Sequence, residues 1–128
     1  MLKGGMLKKM LMIGTAALLT AGCTSVTNLT PSQTPRAESG LYPFEMMFNT
    51  RATSVAHDSI QAYLMLDGDM IEMQRTPLLT NRWEVLAPVP AGKDNINYRF
   101  KVNYQWKDLG GRKENSKLSD VYNLQIGE

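Results

Sequence analysis

Few side chains in this sequence have the type and spacing that chemistry needs. Cys23 is the only thiol and His57 the only imidazole among 128 residues. One cysteine cannot form an internal disulfide framework, and one Cys with one His cannot complete a usual structural zinc site. The neighbours His57-Asp58 could orient an imidazole, but no further site element accompanies them, and a turn accounts for the pair. Asp67-Gly68-Asp69 brings two carboxylates together without the other ligands of a calcium loop. A hairpin turn is sufficient to explain it. No nucleophile–base pair, phosphate-cradling glycine loop or paired catalytic carboxylates can be assembled. These patterns exclude no fold, but they point away from an enzyme, a metal site and a bound cofactor.

The surroundings of Cys23 give it another meaning. Residues 1–9 carry Lys3, Lys8 and Lys9 and no acid, and Met10 to Leu19 form an apolar run. Thr20-Ala21-Gly22 then precede the cysteine. A charged start, a short apolar stretch and small residues before a break form a secretory signal peptide over residues 1–22. Ten helical residues rise about 15 Å, against a hydrocarbon core of about 30 Å, too short for a stable span.

Leu19-Thr20-Ala21-Gly22-Cys23 resembles the lipobox of bacterial lipoproteins, with Thr20 where that family prefers Leu. The resemblance implies cleavage before Cys23, a diacylglycerol on its thiol and an acyl chain on the new amino group. Two or three chains, at about 0.8 kcal/mol per buried methylene, make membrane residence effectively permanent. Thr24 in place of Asp implies, for a Gram-negative host, the outer membrane with the domain facing the periplasm. The charge balance changes with the leader. Removing residues 1–22 takes three lysines from the 14 basic residues, leaving 11 against 12 acids, a formal −1 in place of +2. No anionic partner is implied once the leader is gone.

Residues 23–40, rich in Ser, Thr and Pro, read as the anchored cysteine followed by a disordered tether. As a flexible chain it would span roughly 20–25 Å. Asn28-Leu29-Thr30 has the form of a glycosylation sequon, a coincidence beside a bacterial lipobox. Residues 41–128 show period two rather than 3.6. Tyr42, Phe44, Met46 and Phe48 alternate with their neighbours, as do Ile60 to Leu66 and Trp83 to Val89. Over Asn97–Trp106 the residues Tyr98, Phe100, Val102, Tyr104 and Trp106 face one way, and Arg99 and Lys101 the other. Leu109-Gly110-Gly111 ends that strand, and Asp120–Ile126 supplies a last one. About six or seven short antiparallel strands at this spacing predict an all-β, immunoglobulin-like sandwich, preceded by the signal-peptide helix and the tether.

Tyr63-Leu64-Met65-Leu66-Asp67-Gly68, Trp83-Glu84-Val85, Val89-Pro90-Ala91-Gly92 and Tyr98-Arg99-Phe100-Lys101-Val102 through Trp106 resemble early-set immunoglobulin-like domains of the glycogen-binding type. The resemblance covers about 44 residues. It implies an α-glucan contact through Arg99 and a stacking face on Trp106. A second stacking tryptophan, expected near Ile71–Met73, is absent, and Asn103-Tyr104 replaces the family's Asp-Gly turn. The residue pattern alone places Trp106 in the core or at a sheet edge, and Arg99 on a solvated face. The strand Arg99–Tyr104 lacks the glycines of an RNA-binding strand, so no nucleic acid is expected. The expectation is a lipid-anchored envelope module that binds a protein partner or plays a structural part, with a glycan as the alternative ligand.

Overall fold

The structure, a computed structural model, describes residues 24–51 and 54–127. Residues 1–23, read above as a signal peptide and lipobox with Cys23, lie outside the described residues. Ten strands follow in order: β1 (Thr24–Asn28), β2 (Gln33–Pro35), β3 (Leu41–Thr50), β4 (Val55–Leu66) and β5 (Asp69–Glu72). Then come β6 (Gln74–Arg75), β7 (Arg82–Pro88), β8 (Asn95–Asp108), β9 (Gly111–Leu118) and β10 (Tyr122–Gly127). One sheet runs β1-β3-β7-β6; the other runs β2-β10-β8-β4-β5, with β9 also pairing β8. These are the strand orders of an immunoglobulin-like sandwich with an extra strand at the edge of the larger sheet.

The alternation in the sequence becomes the core. Phe44, Met46, Leu64, Phe100 and Val102 are completely enclosed, each from a strand whose intervening residues face outward. Tyr98 sits at the centre of an aromatic cluster, 4.9 Å from Phe44 and 5.6 Å from Phe100 in near-perpendicular, edge-on contacts. Asp67 and Gly68 both have positive φ, the requirement of a two-residue type I′ turn between β4 and β5. Beyond β5 the chain leaves one sheet for the other. The Met73 amide donates to Ala62 O at 2.8 Å, and its buried side chain fills the crossing before β6 joins β7.

Thr24–Gly40 is not a tether. β1 pairs antiparallel with β3, from Thr24 opposite Thr50 to Asn28 opposite Met46. β2 pairs parallel with β10, so the sandwich is not wholly antiparallel. Asn28 donates to the Tyr98 hydroxyl at 2.8 Å across the core, and Thr30, itself buried, exchanges hydrogen bonds with the backbone of Glu45. Backbone pairing and these polar clips order a segment whose composition could not order itself. The count rises above six or seven because β1, β2 and β9 are added and because Met73 divides one stretch into β5 and β6.

The same edge of β8 receives two partners in succession, β10 along Asn95–Tyr98 and β9 along Lys101–Asp108. Ser119 covers the change. Its hydroxyl accepts the buried Phe100 N–H at 2.8 Å and donates to Asp120 O, while its amide donates to Phe100 O. Ser119→Ala removes the acceptor and leaves the Phe100 N–H buried without a partner. The expected loss is about 1–3 kcal/mol in urea unfolding. A loss below about 0.5 kcal/mol, the level of an ordinary surface change, would contradict the role given to Ser119.

Candidate binding face

The outer face of β4, β8 and β9 is built by register. Gln61 lies opposite Asn103, and Asn103 opposite Ser116. One row further along, Gln105 lies opposite Glu114. The β4–β8 ladder breaks its register between Ala56 and Gln61, opening the sheet there. Ser59 makes the break tolerable: its hydroxyl accepts the Gln105 N–H at 2.8 Å and donates to Ala56 O at 2.6 Å. The result is a polar trough of about 710 Å³ between the bulge and β9.

Of the charges at its rim, Arg112 and Asp58 are held together, and Glu114 forms no ion pair among the described residues. Arg112 lies 3.6 Å from Asp58 and donates to Gln105 Oε1 at 3.3 Å. Lys113 pairs with Asp108 at 3.0 Å. That contact, with the Leu109 amide as a second donor, holds the Asp108 carboxyl below the ordinary carboxylate range. Asn103 in the middle is different. It is half-buried, and its side-chain amide has no hydrogen-bond partner among the described residues. Tyr63, whose hydroxyl donates to Gln61, and the exposed Leu118 flank the trough on the row of Lys101. A planar amide with a free donor and a free acceptor, beside apolar shoulders, suits a peptide backbone or the hydroxyls of a sugar.

The structure does not bring Arg99 and Trp106 together. Seven residues of extended strand separate them by about 23 Å, and their parity puts them on opposite faces of β8. Both Arg99 donors go to Ser119 O, so this guanidinium fixes the β9–β10 junction. Trp106 is half-buried near the end of β8, paired with Val55 and Lys113, whose Nζ lies 5.9 Å from its ring. Trp83 is a core residue with Arg75 stacked 4.6 Å over its ring. His57 is exposed, and its carbonyl accepts a hydrogen bond from Arg75. Sequence reasoning missed Asn103, Ser116 and Glu114 as neighbours. Only the register of β4, β8 and β9 unites them, and that register has no short-range signature.

The strand order and the two packed faces define an all-β, immunoglobulin-like sandwich. No protein-family model and no curated protein matches the chain. Among solved structures, that of murine CRIg is similar over 81% of this chain and 99% of its own, at 10% identity and a TM-score of 0.43.

Proposed function

We propose that this chain is a lipid-anchored module of the bacterial cell envelope that acts by binding a protein partner rather than by catalysis. Its binding face is the trough of β4, β8 and β9. The observation that carries the reading is the half-buried Asn103 amide, without a hydrogen-bond partner among the described residues at the centre of a concave polar surface, where Arg112 and Asp58 are paired and the Glu114 carboxylate forms no ion pair. The amide is open to solvent at the trough, so a partner that offers both a donor and an acceptor would replace water there without breaking a contact within the domain. Cys23, carrying a diacylglycerol on its thiol and an acyl chain on its amino group, holds the domain at the membrane. In a host with two membranes that is the periplasmic side of the outer membrane.

A photo-crosslinking residue at Ser116 should yield one discrete adduct in native membranes, and the same residue at Glu84 on the other sheet should not. Adding Asn103→Lys should abolish the adduct; adducts of equal yield at both positions would defeat the assignment. The anchor is tested separately. Cys23→Ser should leave an unprocessed precursor that takes up no labelled palmitate. The neutral amides of Gln61, Asn103 and Gln105 also favour a second reading, a glycan in the same trough. Insoluble α-glucan should then retain the wild type and lose Asn103→Ala, whereas no retention of the wild type ends that reading.

A further inference from the structure

We propose that the end of the sandwich where β1 begins rests directly on a lipid bilayer, with two leucine-tipped loops entering its interface. The inference rests on the reading of Cys23 as the lipidated residue and adds an orientation that this reading does not supply. Thr24 is already the first residue of β1, opposite Thr50. One trans peptide puts its Cα about 3.8 Å from that of Cys23. An acylated Cys23 therefore leaves no stalk, and this end of the domain must meet the headgroups.

Pairing shows what else lies there. The Phe48 amide donates to Asn81 O and the Asn81 side chain to Asn49, which sets the β6–β7 turn beside the end of β3. The Lys107 amide donates to Ser54 O, which sets the tip of the β8–β9 hairpin beyond the start of β4. Leu78 and Leu79 occupy the first loop and Leu109 the second. Leu78 is 103% exposed, Leu79 40% and Leu109 106%.

Leu78 has no fold-based reason to be leucine. It packs on nothing and has φ +68°, a left-handed conformation that glycine or asparagine adopts at lower cost. An apolar side chain kept in a strained, wet turn is stabilised when the turn enters an apolar phase. Interfacial segments bury such groups about 5–10 Å into the headgroup and acyl boundary.

Charge favours the same orientation. Arg51 and Lys107 at this end are exposed and form no ion pair among the described residues, while Asp58 and Asp108 are neutralised by Arg112 and Lys113. Among the described residues, the far end carries Glu38, Asp67 and Asp69 without ion pairs, the pair Arg36–Asp94, and the single unpaired cation Lys93, so acids still outnumber bases there. The molecule thus presents a cationic, leucine-tipped end to the surface that holds it, and an acidic end away from it. The occupant that fits is a bilayer containing anionic headgroups.

The test uses the lipidated chain, extracted from membranes and reconstituted into vesicles of phosphatidylethanolamine and phosphatidylglycerol. With Cys23 acylated, Leu78→Cys, Leu109→Cys and Ser39→Cys each provide a single free thiol for an environment-sensitive fluorophore. Labels at positions 78 and 109 should shift to the blue and be quenched severalfold more by brominated lipid than the label at position 39. If all three labels stay water-like while the protein floats with the vesicles, the docking is wrong and the anchor stands. If the chain carries no acyl groups and does not float, the anchoring reading fails and the docking falls with it. Protection at 78 and 109 seen in native membranes but not in vesicles would assign this end to a protein partner and overturn the proposal.

Discussion

Phe100→Ala should lower unfolding stability by about 3–5 kcal/mol, the range for a buried phenylalanine whose cavity cannot fully collapse. Phe100 is wholly enclosed, and it packs edge-on to Tyr98 and against Tyr122 at the middle of the longest strand. Its backbone is committed as well, because its N–H and C=O both go to Ser119. The surroundings are therefore held from two sides and cannot close over the missing ring. A domain of this size has about 5–15 kcal/mol in total, so the variant should sit near the limit of folding. Its melting temperature should fall by roughly 12 °C or more. Lys101→Ala, one residue along and facing outward, should stay within about 0.5 kcal/mol of wild type. Equal effects at the two positions would mean that the parity of β8 has been misassigned.

The second large effect concerns a segment whose composition suggests nothing structural. Exchanging Thr24–Asn28 for an equally long Gly/Ser stretch should cost about 2–4 kcal/mol. The ladder to β3 loses hydrogen bonds at about 0.5–1.5 kcal/mol each, and each added glycine costs about 0.5–1 kcal/mol of backbone entropy. The partly buried Val26 and the hydrogen bond from Asn28 to Tyr98 are lost with it. A tether would tolerate the exchange without any change in the unfolding midpoint. Urea unfolding of the two chains therefore separates a strand from a stalk in one measurement.

What could be read from the sequence follows from how each element is stabilised. β3, β7, β8 and β10 bury every second side chain, and alternation of that kind is visible in the residues themselves. The Asp67-Gly68 turn is visible because few residue pairs accept two positive φ angles. β1 is held mainly through backbone pairing to β3, distant in the sequence, and β9 through backbone pairing in its hairpin with β8. Their side chains, Thr-Ser-Val-Thr-Asn and Gly-Arg-Lys-Glu-Asn-Ser-Lys-Leu, need only tolerate an edge. The same reason hides the trough. Gln61, Asn103 and Ser116 become neighbours through register alone, whereas Arg99 and Trp106 share one strand yet lie on opposite faces of it. Adjacency along the chain overstated one site and concealed the other.

The parallel pairing of β2 with β10 also bears on the order in which the molecule can form. Gln33 lies beside Gln125, and Arg36 N–H reaches Gly127 O, so the sheet is not closed until the last residues are available. Contacts of such long sequence separation make folding slow, in the range of milliseconds to seconds for comparable β-sandwiches. The β1-β3-β7-β6 sheet needs no strand beyond Pro88, but β2 has no partner until β10 is present. The two sheets therefore differ in when they can be completed: one can form from the first two thirds of the described chain, and the other waits for β10 to give β2 its place.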